Sequence, residues 1–148
     1  ASERIMKQRS LSEAIKITKN YADWILGEME EMNDSAGKRL AMRAVDYIEK
    51  NYADPALSLN EICTYLGIST SHFSTLFKET TGETFMDVLS RTRMCKAKDL
   101  LEHTALKNYE IAERVGYSDP HYFSIAFKKA TGRTPTEYAK EKRKNGEG

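Results

Sequence analysis

The stretches ISTSHFSTLFKETTG, residues 68–82, and YSDPHYFSIAFKKATG, residues 117–132, are two versions of one helix-length phrase. Phe73 and Phe77 of the first match Phe123 and Phe127 of the second at an offset of 50, and both phrases end in Thr-Gly. A short apolar segment and a glycine turn precede each phrase, which is the pattern of a short helix, a tight turn and a second helix with an aromatic inner face. The repeat predicts two helix-turn-helix units, at about residues 58–82 and 107–132.

Local signals predict where the helices of the first unit begin and end. Ser58 and Glu61 have the spacing of a capping box, Gly67 supplies the turn, and Ser69 can cap the second helix. The segment between the units, about residues 84–102, is predicted to be one long helix. After the second unit, Pro135 is tolerated in the first turn of a closing helix.

The N-terminal segment, residues 1–35, is predicted to form a connector helix with a narrow stripe in a 4-3 spacing. The stripe consists of Leu11, Ile15, Thr18, Ala22, Ile25, Met29 and Met32. A seam of this kind fits a homodimer through residues 11–32 as well as packing on the chain's own domain, and the sequence leaves both open. The residues NDSAGK, 33–38, are predicted to break the helix, with Ser35 capping a new helix that ends near Tyr52 because Asp54 precedes Pro55.

Composition excludes several classes of protein. The 148 residues are 40% hydrophobic and 30% charged, which predicts a soluble globular chain. No apolar run is long enough for a bilayer, so we expect no membrane partner. The start, ASERIMKQRS, lacks an initiator Met and an apolar signal-peptide core, so we expect a cytoplasmic fragment of a longer protein. Cys63 and Cys95 lack the spacing of zinc or redox sites and are expected to be reduced structural thiols.

The sequence also offers nothing that resembles an active site. There is no His-Glu-x-x-His, no glycine-rich phosphate loop and no metal-ligand spacing, so we expect no enzyme, no cofactor and no metal site. Charge alone says little about partners: residues 1–37 hold five Lys/Arg and seven Asp/Glu, which leaves a net charge of +3 for residues 38–148. A DNA-binding protein and a helical protein-interaction module without DNA binding therefore remain the two alternatives.

Geometry favours DNA. Each second helix begins with small polar residues that leave its N-terminal amides free for phosphate. If the long helix holds the units about 34 Å apart, both second helices reach successive major grooves on one side of a duplex. One chain would then read two grooves without dimer symmetry.

The chain resembles, over about residues 40–140, the DNA-binding domain of the AraC/XylS family of bacterial transcription regulators. The resemblance is carried by LSLNEICTYLGISTSHFSTLFKETTG (57–82), by the pattern Arg93-x-x-x-Ala97-x-x-Leu100-Leu101, and by IAERVGYSDPHYFSIAFKKATGRTP (111–135). It implies an all-α domain of about seven helices in residues 36–148, promoter DNA as the partner, and RNA polymerase as a further partner.

The resemblance also implies site residues. Base-contacting positions fall on Thr70, Ser71, Ser74, Thr75, Pro120, His121, Tyr122, Ser124 and Ile125. Phosphate-contacting positions fall on Ser69, His72, Lys78, Arg91, Arg93, Ser118, Lys128 and Lys129. Family members often have Arg or Gln at the base-contacting places, so we expect modest discrimination here, with thymine-methyl contacts from Ile125 and Thr75. A structural role for Arg93, tying the long helix to a nearby carboxylate, is the open alternative to phosphate contact.

Family members commonly carry a ligand-binding or phosphoacceptor domain before the DNA-binding part. The coiled-coil-like stripe, and the absence of any sequence of a ligand-binding barrel, favour a phosphoacceptor domain upstream. We therefore expect a two-component response regulator as the parent protein, with residues 1–35 as its connector.

Overall fold

The computed structural model describes the backbone of residues 2–146 and the side chains of residues 15, 16, 18–27 and 35–146. Within these residues the chain is all-helical, and the predicted pair of helix-turn-helix units with a long joining helix is confirmed. The helices are α1 (Ser2–Asn51), α2 (Leu59–Leu66), α3 (Thr70–Thr81), α4 (Phe85–His103), α5 (Asn108–Arg114), α6 (Pro120–Thr131) and α7 (Pro135–Gly146).

The predicted helix break at residues 33–38 is wrong, because α1 runs without interruption from Ser2 to Asn51. The segment contains no proline, and one glycine inside a helix costs only about 1 kcal/mol. Ser35 lies within α1 and not at a helix end, and its carbonyl oxygen accepts a hydrogen bond from Arg39 Nε at 3.4 Å. The chain divides into two compact units, residues 1–39 and 40–148. The predicted helix end near Tyr52 is confirmed.

In residues 15–27 the described apolar side chains of α1 are exposed. They include three members of the predicted stripe, Ile15, Ala22 and Ile25, and their neighbour Trp24. Leu11, Met29 and Met32 lie outside the residues whose side chains the structure describes.

Each helix-turn-helix pair packs on the helix that precedes it through three buried side chains with the same spacing. These are Ala41, Ala44 and Ile48 of α1 for the first pair, α2–α3, and Met94, Ala97 and Leu101 of α4 for the second pair, α5–α6. The two cores are centred on the predicted aromatic residues, since Phe73, Phe77, Phe123 and Phe127 are fully buried. The duplication therefore extends to a three-helix packing unit that occurs twice.

The repeated Thr-Gly ending terminates each recognition helix. Gly82 adopts a left-handed φ of 79°, which glycine accepts without strain. The Thr81 hydroxyl donates to the Phe77 carbonyl oxygen at 2.7 Å and accepts from the Glu83 amide at 3.2 Å. Thr131 makes the same contacts at the end of α6. The pair of residues stops one helix and directs the chain into the next.

Some predicted caps differ in detail. Ser69 caps α3 as expected, its hydroxyl oxygen accepting from the His72 amide at 3.2 Å. Ser58 accepts from the Glu61 amide at 3.2 Å, but the Glu61 carboxylate accepts from the Tyr47 hydroxyl at 3.0 Å. The second half of the predicted capping box is thus wrong, because Glu61 instead connects α2 to α1.

Two apolar side chains next to buried residues are exposed. Val45, with 41% of its surface exposed, lies beside the inward face of α1 rather than on it. On α4, Met94 is the buried member of the Met94–Cys95 pair, and Cys95 is exposed. Cys63 is buried between α2 and its neighbours, and burial raises the pKa of its thiol. Only Cys63 therefore fits the prediction of a structural thiol.

Polar side chains of α7 contact Glu102 of α4. The Tyr138 hydroxyl donates to Glu102 Oε1 at 2.6 Å, and Lys142 Nζ lies 3.8 Å from the same oxygen. Burial, together with this hydrogen bond to a carboxylate, raises the pKa of Tyr138 to about 12. The phenol therefore stays protonated in the folded chain at a pH where it ionises in the unfolded chain.

This contact predicts an alkaline loss of stability that belongs to Tyr138. Its contribution is fully present below the unfolded pKa of about 10 and is lost as the pH rises through about 12. Tyr138→Phe should therefore lose less stability than the parent between those values, as measured by urea midpoints. Because lysines titrate in both proteins, the comparison isolates the phenol, and identical alkaline losses would contradict the assignment.

Candidate nucleic-acid interface

The outer face of α3 carries the predicted base-contacting residues of the first pair. Thr70, Ser71, Ser74 and Thr75 are all exposed, while the aromatic face of the same helix is buried. These side chains are short and uncharged, so they can make single hydrogen bonds or methyl contacts but no bidentate pairing with a base.

The outer face of α6 is bulkier. Pro120 and His121 are exposed at its start, and Tyr122 and Ile125 expose 62% and 53% of their surface. Ser124 is only half-buried at the edge of this face, and its hydroxyl donates to the Pro120 carbonyl oxygen at 3.1 Å. Of the predicted contact residues on α6, Ser124 is thus the one already engaged by its own helix.

The predicted phosphate-contacting residues fall into three groups: exposed residues, the exposed but ion-paired Arg91, and the buried Arg93. The first group consists of Ser69, His72, Lys78, Ser118, Lys128 and Lys129. Ser118 is not the cap of α6, because the extra residue of the second copy brings Asp119 to that place, where its carboxylate accepts from the His121 amide at 3.0 Å. Arg91 is exposed but forms an ion pair of 2.6 Å with Glu83.

The predicted phosphate contact of Arg93 is wrong. This side chain is 9% exposed, and it donates from Nε to the Tyr52 carbonyl oxygen and from Nη2 to that of Asp54, both at 2.9 Å. The alternative of a structural tie was correct in kind, but the partners are backbone carbonyls and not a carboxylate. Arg93 faces the loop after α1, so it connects the middle of α4 to the end of α1.

Two further residues, Gly116 and Tyr117, complete this connection. Arg93 Cζ lies 5.5 Å from the centre of the Tyr117 ring, and burial lowers the pKa of Arg93, although a guanidinium remains charged at any physiological pH. Gly116 has a φ of 97°, and a Cβ there would lie 2.3 Å from the Tyr52 carbonyl oxygen and 2.8 Å from Arg93 Nε. We call Tyr52, Asp54, Arg93, Gly116 and Tyr117 the junction.

The junction was missed because each of its contacts joins residues far apart in the chain. The repeat does predict a glycine at both turns, but the two glycines have different surroundings. A Cβ on Gly67 would meet nothing within 4 Å, whereas a Cβ on Gly116 would collide with the junction. Sequence spacing alone contains no signal of that difference.

A cleft of about 600 Å³ runs along one flank of α6. It is lined by Ser90 and Met94 of α4, by Tyr117, and by Tyr122, Ile125 and Lys129 of α6. Tyr122 packs at 6.1 Å, between ring centres, on Tyr117 of the junction. The exposed face of α6 therefore continues into a largely apolar groove against the middle of α4.

In the described part of the chain, no group of His, Cys, Asp or Glu side chains is arranged to hold a metal ion. No helix among the described residues combines the length and the apolar character needed to span a membrane.

A family model described as a helix-turn-helix domain matches residues 62–141. The transcriptional activator RhaR of Cronobacter sakazakii is 38% identical over 85 residues, 57% of this chain and 30% of that protein. The C-terminal domain of AraT, a response regulator from Geobacillus stearothermophilus, has a TM-score of 0.68 at 41% identity, covering 69% of this chain and 84% of the other. The C-terminal domain of the response regulator yesN from Fusobacterium nucleatum has a TM-score of 0.65 at 42% identity, with 66% and 95% covered.

The chain spans about a fifth to a third of the length of the curated relatives it matches. The structural relatives, in contrast, are isolated C-terminal domains that it covers almost completely.

Proposed function

We propose that this chain, which belongs to the AraC-type helix-turn-helix family of DNA-binding transcription regulators, binds promoter DNA. In the proposed complex α3 and α6 lie in successive major grooves. The observation that carries this proposal is that α3 and α6, each with one buried aromatic face and one exposed face, are joined by the single helix α4. Helix α4 has 19 residues and is therefore about 28 Å long, close to one turn of B-form DNA at about 34 Å. That spacing lets a single chain reach two successive grooves, and sequence-specific binding then depends on the side chains that face the bases.

In the proposed complex the side chains divide by chemistry. The ammonium groups of Lys78, Lys128 and Lys129 neutralise phosphates, as do the backbone amides at the start of each recognition helix. The short hydroxyls of α3 and the larger side chains of α6 face base edges. The chain acts by binding and positioning, and no catalytic step is part of the proposal.

The salt dependence of duplex binding tests this function. Affinity for a duplex should fall steeply as salt rises, because each neutralised phosphate releases counterions. Lys128→Ala should reduce the slope of log K against log salt by about one. Lys50→Ala is the matched control, since Lys50 lies on α1 and is already paired with Asp46 at 2.9 Å. A parent chain without salt-dependent duplex binding would favour a protein-interaction module instead.

We further propose that the parent protein is a cytoplasmic two-component response regulator that acts on RNA polymerase at its promoter. The likeness to two C-terminal domains of response regulators supports this proposal. A phosphoacceptor domain encoded upstream in the same gene is the expected finding. A sugar-binding barrel in that place would contradict it.

The exposed side chains of Ile15 and Ile25 on α1 support a homodimer through residues 11–32. Ile15 and Ile25 expose 63% and 36% of their surface on a helix whose 4-3 spacing suits a two-stranded seam. Ile25→Lys should convert a self-associating chain to monomer in sedimentation equilibrium. Asn20→Lys adds the same charge off the stripe and should leave association unchanged, so equal masses for the two variants would argue against this seam.

A further inference from the structure

We infer that the two recognition helices contribute unequally to DNA binding: α6, with the cleft on its flank, anchors the DNA backbone, and α3 contributes little affinity. This inference rests on the proposed function and deepens it. It concerns which half of the binding site holds the protein, which the presence of two helix-turn-helix units does not decide.

Charge is the first observation. At the offset of 50 that aligns the two phrases, Glu79 of α3 matches Lys129 of α6, and both side chains are exposed. The formal charges on α3 are one Lys78 and one Glu79, which cancel, while α6 carries Lys128 and Lys129 and is preceded by the carboxylate of its cap Asp119, a net charge of +1. A lysine releases counterions when it meets a phosphate, whereas a carboxylate at the same place repels it.

Carboxylates also lie near two cations beside α3. Arg91 is held by Glu83 at 2.6 Å. Hydrogen bonds to Thr84 lower the pKa of Asp87, and the charge of nearby Lys78 adds to that effect. Among the described residues, the ion pairs include none of Lys78, Lys128 and Lys129. The carboxylate that opposes phosphate at the C-terminal end of α3 is therefore Glu79, and Lys129 takes its place on α6.

Surface chemistry is the second observation. Tyr122 and Ile125 of α6 occupy the positions that His72 and Thr75 occupy on α3. The larger pair lines the cleft with Met94, and Ser90 and Lys129 supply polar donors at the same cleft. A deoxyribose with its phosphate combines an apolar ring and an anion, which matches these two kinds of lining. On the matching flank of α3, the lysine is replaced by Glu79.

The third observation is that neighbouring side chains hold Tyr122 in place. The Tyr122 ring lies 6.1 Å from Tyr117, and Tyr117 lies 5.5 Å from the guanidinium of buried Arg93. A side chain that is held before binding loses less conformational entropy on binding. The reading face of α6 is thus connected to the junction through two aromatic rings.

A charge exchange at the matched positions tests this inference in the full chain. On one duplex at fixed salt, Lys129→Glu should weaken binding at least about ten-fold and lower the salt slope by about two. Glu79→Lys should tighten binding and raise the slope by a similar amount. Because both positions are exposed, thermal unfolding of the two variants should match the parent.

Replacing the phosphates of one half of a selected binding site at a time with uncharged methylphosphonate linkages gives a second measurement. Neutralising the half under α6 should cost more than about ten-fold in affinity, and the half under α3 less than about three-fold. Equal costs, or a loss of affinity from Glu79→Lys, would overturn the unequal division while leaving DNA binding intact. Failure of the parent chain to bind any duplex would overturn the proposed function and this inference together.

Discussion

Gly116→Ala is expected to lower the free energy of unfolding by about 3–5 kcal/mol, among the largest effects of any single methyl group in this chain. Two independent costs add at this position. The φ of 97° is strained for any residue with a Cβ, and that Cβ would lie 2.3 Å from the Tyr52 carbonyl oxygen and 2.8 Å from Arg93 Nε. The Tyr52 carbonyl belongs to the backbone and cannot rotate away, so the end of α1 would have to move.

Gly67→Ala is the matched control, because it changes the equivalent glycine of the first pair. Gly67 has a φ of 72°, but a Cβ there meets nothing within 4 Å. The left-handed backbone alone should lower the free energy of unfolding of this variant, by about 1–2 kcal/mol. Urea unfolding of both variants measures the difference, and equal losses would show that the junction does not resist the added methyl group.

Arg93→Met is expected to cost about 2–4 kcal/mol, because it removes two charge-assisted hydrogen bonds in a buried site. The methionine fills much of the space but leaves the Tyr52 carbonyl oxygen without its donor. Arg93→Lys should recover only part of the loss, since one ammonium does not reproduce the fork that reaches two carbonyls and lies over Tyr117.

Arg91→Met provides the control on the same helix. Arg91 is exposed and its ion pair with Glu83 lies at the surface, so its loss should cost no more than about 1 kcal/mol. Chemical denaturation of the three variants ranks them. A loss for Arg91→Met as large as that for Arg93→Met would contradict the structural assignment of Arg93.

The helix-turn-helix units could be predicted from the sequence because their determinants are local. Phe73 and Phe77, with the spacing of one helix face, predict a buried side, and the same spacing at Phe123 and Phe127 predicts its copy. Caps such as Ser69 act within three residues of their own position. Patterns of this kind are contained in a short window, so the helix bounds and the inner faces agree with the structure.

The junction could not be predicted, because its physics is tertiary. Arg93 was one of four cations on a helix, and only its position facing the loop after α1 decides that it is buried. The continuity of α1 through residues 33–38 could not be predicted for a related reason. A residue that can cap a helix does so only where the backbone also leaves the helical conformation, and tertiary packing decides that. Residue spacing within the sequence therefore predicts neither the burial of Arg93 nor the continuity of α1.

The roles of individual residues at the interface remain predictions. Thr75, Tyr122 and Ile125 lie on exposed faces, as base contact requires. What sequence alone could not predict is the difference between the two faces, since the cleft beside α6 requires Met94 and Tyr117 from two other segments.

Hydroxyl-radical footprinting of the chain on a selected duplex tests the central claim most directly. Two recognition helices on one joining helix should protect two backbone segments centred about one helical turn, about 10 base pairs, apart on the same side of the duplex. A single protected segment, or two segments on opposite sides, would contradict simultaneous binding of α3 and α6 in successive major grooves.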